Sequence, residues 1–334
     1  MLLFIRSETS SNETRSPLSP ADVKKLYEKG FTVFVQRSVT RVFSDAEFAK
    51  ANAILTDEPW FKFKQKALII GLKELQLEEL NHLDNHSHVY FSHSYKNQAH
   101  ATQLLTKFKI SHSKLYDLEY FLNPDGSRYL AFGFYAGLVG AALGLRQAHN
   151  KRHGLQDISQ LHPWPSINAL FDYCKIEGLN EKIGIIGNGR CAKGVIYVLN
   201  NLNIQYEILT RNSSVDPKKY SLFFNCILLD KNNDSNWFPK TVEYTSPLTI
   251  VDISCDYNKV NNPISIYEEP TTWTTPVFNY NRHVSVIAIG NLPSLLPHDS
   301  SMEFSSLFTE LLLNYGDIIW QANLNLFNKQ IQLI

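Results

Sequence analysis

Lys182 to Ala192 reads KIGIIGNGRCA. Ile183 to Ile186 is a short apolar run of the kind a buried parallel strand needs, and it leads straight into Gly187-Asn188-Gly189-Arg190-Cys191-Ala192, the G-x-G-x-x-A spacing. Each small residue has a task in that pattern. Gly187 permits the tight turn, Gly189 lets the main chain approach a pyrophosphate, and Ala192 lets helix and strand pack closely. A helix is expected next, because Val195, Ile196, Val198, Leu199 and Leu202 recur at helical spacing. Its N-terminal amides and positive dipole end would then hold phosphates. An ordinary strand-to-helix turn that binds nothing is the competing reading of the same residues.

Downstream, Tyr206 to Thr210, Leu222 to Leu229, Leu248 to Ile253 and Val284 to Ile289 read as further strands of that sheet, with helical or irregular crossovers. Upstream, Phe132 to Leu145 is a helix with four glycines, a density that suits close helix packing or a hinge. The N-terminal part opens as a βαβ unit. Leu2 to Ile5 and Phe31 to Gln36 are strands around a helix near Pro20 to Lys29, and a helix near Asp45 to Ala51 follows. Strands Ala67 to Leu72 and His88 to Phe91 come next, and a hairpin is expected from Leu115 to Leu122 and Tyr129 to Phe132 around Pro124-Asp125-Gly126. A last helix, Glu303 to Tyr315, is expected to return to the first domain. The fold class is therefore α/β, with two Rossmann-like domains built on parallel sheets and an active-site cleft between them. Their expected bounds are 1–132 plus 293–334 for the substrate domain and 133–292 for the dinucleotide domain.

With 334 residues the chain is long enough for two cores. Lys+Arg and Asp+Glu balance at 32 each, so no global field favours nucleic acid or anionic lipid. Met1 to Ile5 is too short for a signal peptide, and no apolar run reaches membrane-spanning length. Four cysteines, Cys174, Cys191, Cys226 and Cys255, lack zinc-type spacing and are too few for a disulfide scaffold. A cytoplasmic protein with no metal, no nucleic-acid partner and no membrane contact is expected.

The two strands of the first domain that end at Leu72 and Phe91 deliver Lys73, His93 and Lys96 at their carboxyl ends, where open α/β sheets build their sites. An amine and an imidazole there can act as acid and base if their pKa values approach neutrality. Lys96 and partial burial would lower that of Lys73, whereas Glu74 and Glu119 would raise it. Arg15, Lys96 and Arg128 suggest a substrate with carboxylates. Each of these residues could equally be a solvated charge, and Arg15 has no evident packing role.

The segments RSETSSNETRSPLSP, IIGLKE, FSHSYKNQA, LYDLEYF, AFGFYAGLVGAALG, IIGNGRC, FNCI, VDISCD, NNPISIY and VIAIGNLPSLLP occur in this order along nearly the whole chain. In that order and spacing the chain resembles saccharopine dehydrogenase, the NAD-dependent, L-lysine-forming enzyme family of the fungal lysine pathway, related in fold to alanine dehydrogenases. The resemblance implies oxidative cleavage of saccharopine to L-lysine and 2-oxoglutarate. It implies Lys73 as general base and His93 as the group that activates water. It assigns Arg15, Gln98, Arg128 and Phe132 to substrate, with Lys96 beside them, and Glu74 and Glu119 to tuning the lysine. Ser254, Cys255 and Asp256 match a loop near the substrate. Cys191 and Cys226 match a pair that can form a disulfide, although two reduced thiols are the expected state in a cytoplasm.

For the cofactor, the resemblance implies Gly187, Gly189 and Arg190 at the phosphates, and Ile253, Ile289, Gly290, Asn291 and Leu292 at the later strand ends. Departures from the family cluster here. Its ribose-binding aspartate aligns near Asn212, in Thr210-Arg211-Asn212-Ser213-Ser214. Glu207 lies at a suitable distance from Gly187 but inside the strand. Arg211, Asn212 and Ser213 would suit a 2′-phosphate, so NADP stands beside NAD as the expected cofactor. Ser127 replaces the first arginine of a pair, and Gly290-Asn291 replaces an aspartate-histidine pair. An alanine-dehydrogenase-like or other imino-diacid dehydrogenase, and a non-catalytic dinucleotide-binding relative, are the alternatives.

Overall fold

Apolar runs of three to five residues, many of them β-branched, can be buried on both faces only in a parallel sheet flanked by helices. Twelve strands occur among the described residues, most of them of this kind. The structure, a computed structural model, describes residues 1–10, 12–83, 86–95, 100–210, 213, 215–228, 236–257, 259 and 261–334. The strands are β1 Leu2–Ile5, β2 Thr32–Gln36, β3 Ile54–Thr56, β4 Leu68–Ile70, β5 Ser87–Tyr90, β6 Lys114–Asp117, β7 Ile183–Ile186, β8 Glu207–Leu209, β9 Leu222–Asn225, β10 Leu248–Asp252, β11 Phe278–Asn279 and β12 Val284–Ile287. The helices are α1 Pro20–Glu28, α2 Asp45–Lys50, α3 Ala101–Ile110, α4 Gly133–Arg152, α5 Ile167–Cys174, α6 Arg190–Asn201, α7 Pro297–Leu313 and α8 Ile318–Gln332. They divide into two units, Met1–Ala131 with Pro297–Ile334, and Phe132–Leu296.

The first unit carries a sheet in the order β3-β2-β1-β4-β5-β6, every neighbouring pair parallel. That is the doubly wound order, and its direction reverses between β1 and β4, the switch point at which open sheets bind ligands beyond their carboxyl ends. Ser19 caps α1, accepting from the Asp22 amide, with Pro20 at the first helical position. α7 packs on α1 through polar contacts: Ser301 and Ser305 accept from the amides of Ser16 and Ser19, and Ser305 donates to Asp22 at 2.6 Å. Asn323 of α8 accepts from the Asp117 amide at 3.1 Å and donates to its carbonyl at 2.8 Å, which fixes the end of β6.

The second unit carries the sheet β11-β12-β10-β9-β7-β8, parallel throughout except for the short β11. Its glycine turn leaves β7, between β8 and β9, again where the strand order reverses. α4 lies against β9 and β10 because its small face allows it: a Cβ on Gly140 would stand 2.8 Å from Ile253, and one on Gly144 would stand 2.7 Å from Val251. Gly137 meets Gly194 of α6 backbone to backbone, and a Cβ on either would overlap the other helix's carbonyl.

Several sequence expectations require correction. The hairpin around Pro124 to Gly126 contracts to a single antiparallel bridge between Leu122 and Arg128, because Leu115 to Asp117 instead joins the parallel sheet as β6 and Leu118–Tyr120 coils into a 3-10 turn. The strands expected over Ala67 to Leu72, Leu222 to Leu229 and Val284 to Ile289 end two to four residues early, where the chain turns to form loops. α4 runs seven residues further than expected, to Arg152, and α7 begins at Pro297 rather than Glu303. β3, α3, α5 and α8 were not anticipated.

Candidate active site

All strands of the first sheet point the same way, so the segments after β1, β4, β5 and β6 gather along one edge. Arg6 and Glu8 follow β1 and tie down the end of β4. Glu8 accepts from the amides of Leu72 at 2.6 Å and Lys73 at 3.1 Å, and Arg6 donates to the Lys73 carbonyl while lying 3.5 Å from Glu8. Gly71 makes room for this, since a Cβ there would occupy the space of the Arg6 guanidinium. The main chain at Lys73 is thus held on both its polar groups.

Two carboxylates organise the side chains. Glu13, wholly buried, accepts from Arg15 Nε at 2.7 Å and Nη2 at 2.6 Å, a fork-on-fork pair, and stands 3.7 Å from Lys73 Nζ. Burial pushes its pKa up, but the charge and hydrogen bonds of Arg15, with Lys73 adding to them, outweigh that and hold it below the usual carboxylate range. Glu119 accepts from Arg128 at 2.9 Å and faces His93 Nδ1 at 3.8 Å. His93 itself has φ +48°, the left-handed region that a non-glycine residue enters only when its surroundings demand it. Glu74 is exposed, and desolvation raises its pKa against the opposing pull of Lys73.

Between these groups lies a buried carboxyl that no motif marked. Asp117 accepts from Ser92 Oγ at 2.7 Å and from the Glu119 amide at 2.9 Å, and burial pushes its pKa up from 3.8 to about 6.

In the second unit, Gly187 has φ +110°, and a Cβ there would stand 2.9 Å from the Cys226 carbonyl. Gly189 caps α6 with no side-chain hydrogen bond, and the space where its Cβ would lie is open to 4 Å. A twelve-residue helix therefore presents its first amides beside an unobstructed glycine, which fits a pyrophosphate. Asp252 at the end of β10 accepts from Asn225 at 2.9 Å, from the Tyr267 hydroxyl at 2.5 Å and from the Cys255 amide at 3.1 Å, shaping the turn in which Cys255 has φ +53°. Burial pushes the Cys255 thiol up to about 12, so it stays protonated.

The same architecture recurs among known proteins. Residues 4–139 match the family model described as alanine dehydrogenase/PNT, N-terminal domain. The chain is 33% identical over 368 aligned positions to the saccharopine dehydrogenase [NAD(+), L-lysine-forming] of Yarrowia lipolytica, covering 98% of this chain and 97% of that one. It is 32% identical to the protein of that name from Schizosaccharomyces pombe, covering 99% and 98%. The chain belongs to the saccharopine dehydrogenase family. Among solved structures, an L-alanine dehydrogenase superposes with a TM-score of 0.76 at 17% identity, covering 97% of this chain and 94% of that one. The transhydrogenase from Sinorhizobium meliloti follows at 0.73 and 14%, covering 96% and 97%. At such identities these two show the fold alone.

Within this saccharopine dehydrogenase family member, the structure brings Arg15 to Lys73 through Glu13, and Arg128 to His93 through Glu119. Arg15 does have a packing role, contrary to the expectation from sequence: it is buried against its carboxylate. The carboxylate beside the Lys73 amine is Glu13, two residues before Arg15, and the alternation N-E-T-R was the signal that could have found it. Lys96, Gln98, Arg211 and Asn212 lie outside the described residues. Phe132 is the N-cap residue just before α4, and Ser254 donates to the Ile227 carbonyl. Asp256 pairs with Lys259 at 2.5 Å. Ile253, Ile289 and Leu292 are core residues of the second unit, Asn291 accepts from Trp273 at 3.2 Å, and a Cβ on Gly290 would meet nothing within 4 Å. Ser213 Oγ accepts from the Thr210 amide at 3.0 Å, so the end of β8 is a hydroxyl-lined turn, while Glu207 opens the strand and is held by Lys219 at 2.6 Å and Tyr220 at 3.0 Å. Cys191 lies close enough to Cys226 that its charge, after burial, adds to the upward push on the Cys226 thiol. Among the described residues no group of His, Cys, Asp or Glu could hold a metal ion, and no helix is long and apolar enough to cross a membrane.

Two stability effects of opposite sign follow. Glu13→Ala removes the acceptor of a buried guanidinium and is expected to destabilise the fold by about 3 kcal/mol. Because the folded pKa of Glu13 is depressed, its contribution is present above the ordinary 4.5 and is lost as pH falls through the folded value. Urea melts at pH 7 and pH 3.5 check this, the difference between parent and variant shrinking at the lower pH. Asp117 behaves in the other sense. Its folded pKa is raised, so its contribution is fully present below 3.8 and is lost as pH climbs through about 6. Asp117→Asn is expected to gain up to about 3 kcal/mol over the parent at pH 7 and nothing at pH 3.5 in the same melts.

Proposed function

We propose that this chain catalyses the oxidative cleavage of saccharopine to L-lysine and 2-oxoglutarate with a nicotinamide dinucleotide. The observation that carries the reading is the pair of half-sites on one sheet edge, Arg15–Glu13–Lys73 and Arg128–Glu119–His93. Each supplies a cation for a carboxylate and a group able to exchange a proton, which a secondary amine bearing several carboxylates requires. The curated relatives named for this reaction match nearly the whole chain, which supports the same substrate.

In this reading the first unit holds the substrate and the second the dinucleotide, with Gly187, Gly189 and Arg190 at its phosphates. A bound nicotinamide supplies the hydride acceptor. Lys73 takes the proton of the secondary amine, its ammonium product being stabilised by Glu13. The oxidised substrate is an imine, and His93 takes a proton from the water that attacks it while Glu119 stabilises the resulting imidazolium. The carbinolamine so formed breaks its C–N bond to leave 2-oxoglutarate, and the departing lysine nitrogen takes the proton back from His93. Arg15 and Arg128 hold substrate carboxylates and so orient the reacting carbon. The relatives are named for NAD(+), and NAD is the cofactor proposed here. The hydroxyl-lined end of β8, with no carboxylate at the strand end among the described residues, leaves NADP as a second reading. A cytoplasmic location is part of the proposal.

Turnover of saccharopine with each oxidised dinucleotide, measured beside lysine plus 2-oxoglutarate and pyruvate plus ammonia with each reduced one, tests substrate and cofactor together. Activity confined to pyruvate plus ammonia would replace this reading with an alanine-dehydrogenase-like one. Binding of NADH or NADPH without turnover of any substrate would leave a non-catalytic relative. Gly189→Val provides the structural control. Its side chain enters open space, so the melting temperature is expected to hold, while NADH affinity by fluorescence titration falls roughly tenfold or more as the pyrophosphate loses its approach.

A further inference from the structure

The left-handed His93 lies between two serines whose hydroxyls meet at 2.6 Å, Ser92 and Ser94, both buried. That contact pinches the chain so that the imidazole leaves on the side facing Glu119. Ser92 also donates to Asp117 Oδ2 at 2.7 Å, and Asp117 Oδ1 accepts from the Glu119 amide at 2.9 Å. One carboxyl group therefore holds the His93 loop with one oxygen and the Glu119 loop with the other. It is itself a fixed reference point, because Asn323 brackets its backbone amide and carbonyl. We infer that Asp117 is a positioning residue, which through Ser92 and through the Glu119 amide sets the spacing between the His93 imidazole and the Glu119 carboxylate. The inference rests on the proposed reaction for its catalytic meaning, but the spacing is a property of the fold.

The chemistry explains the residue type. A carboxyl offers two acceptor oxygens at a fixed distance, where Ser or Thr would offer one. Asp117 also caps the 3-10 turn at Leu118–Tyr120 through the Glu119 amide, but asparagine would cap it as well without the cost that burial puts on an ionised carboxyl at neutral pH. Asparagine can imitate the arrangement. Its oxygen accepts from the Glu119 amide, and its amide donates to Ser92, whose hydroxyl then turns to donate to Ser94. Alanine at 117 cuts the link, and alanine at 92 removes its hydroxyl half, leaving only the weaker bond from the Ser92 amide.

The test uses Asp117→Asn, Asp117→Ala and Ser92→Ala in the full chain, with two readouts. In steady-state turnover of saccharopine with NAD, Asp117→Asn is expected to stay within about threefold of the parent. Asp117→Ala and Ser92→Ala are expected to lose roughly tenfold or more in kcat with an unchanged KM for the dinucleotide, the size a small misplacement of a proton-transfer group produces. Independently of activity, histidine-selective NMR reads the coupling directly. Glu119→Gln is expected to move the His93 ring resonances in the parent background and to leave them unmoved in the Ser92→Ala background. The inference fails if Ser92→Ala keeps both its kcat and its response to Glu119→Gln, or if Asp117→Asn falls as far as Asp117→Ala. Should Asp117→Ala not fold, Ser92→Ala decides the matter alone. A parent that does not turn over saccharopine sinks the reaction and leaves the NMR readout to judge the positioning.

Discussion

Lys73→Met is expected to lower kcat for saccharopine by on the order of 10²- to 10⁴-fold while leaving NADH affinity intact. Methionine keeps an apolar stem of similar length and removes only the amine, so the loss isolates proton exchange from packing. The amine faces an ionised partner, because Glu13 is held below the usual carboxylate range by Arg15, and that charge remains when Lys73 is gone. His93→Gln is expected to fall by a similar factor, since glutamine can hydrogen-bond to Glu119 but cannot take a proton from water. Steady-state assays beside NADH fluorescence titration make the measurement. A kcat within threefold of the parent in either variant removes that residue from the mechanism.

Gly194→Val is expected to be the most damaging single change to the fold. A Cβ at 194 would lie on the Phe134 carbonyl and 2.9 Å from the Leu138 amide, which are backbone atoms of α4 and cannot swing aside as a side chain would. α4 in turn is packed on Val251, Ile253 and Phe224, so separating the two helices opens the core of the second unit. A loss above about 3 kcal/mol is expected, a large share of an ordinary domain's stability, and the glycine turn that begins α6 is displaced with it. Thermal melts and NADH titration check this, and Gly189→Val, at the start of α6 with nothing within 4 Å of its Cβ position, is the control that should melt like the parent. A Gly194→Val protein with the parent's melting temperature would mean that the helix crossing is looser than described.

The glycines of α4 were legible in the sequence because close approach leaves a strong mark: nothing larger than glycine fits, and Gly137, Gly140 and Gly144 recur along the helix, whereas Gly194 stood alone in α6 and was not singled out. The alternating task of strand and turn was equally plain in KIGIIGNGRCA, and Lys73 and His93 could be placed at strand ends because β4 and β5 are short apolar runs with polar punctuation. What stayed hidden has a common physical cause. Glu13, Asp117 and Glu8 act through pairing across loops, and a buried carboxylate looks in sequence like any solvated one. β3 was missed because it is an edge strand with a partly exposed face, Ile54 lying 46% open, and α3 and α8 because their amphipathic patterns are weak and unbounded by strong caps. The apparent hairpin at 124–126 failed for a related reason. Its turn chemistry is real, with Gly126 at φ +78° and Gly126 donating to Asn123, but strand pairing is decided by neighbours distant in sequence, and β5 claimed the first arm.

The bond from Asn323 to Asp117 joins residues 206 positions apart, and everything in the second unit is encoded between them. On a ribosome the second unit emerges complete while the sheet edge carrying His93 and Glu119 still lacks the helix that fastens it. The edge that carries His93 and Glu119 is therefore fastened only after the second unit has been synthesised, and a nascent chain arrested before residue 323 would carry a finished second unit beside an unfastened edge.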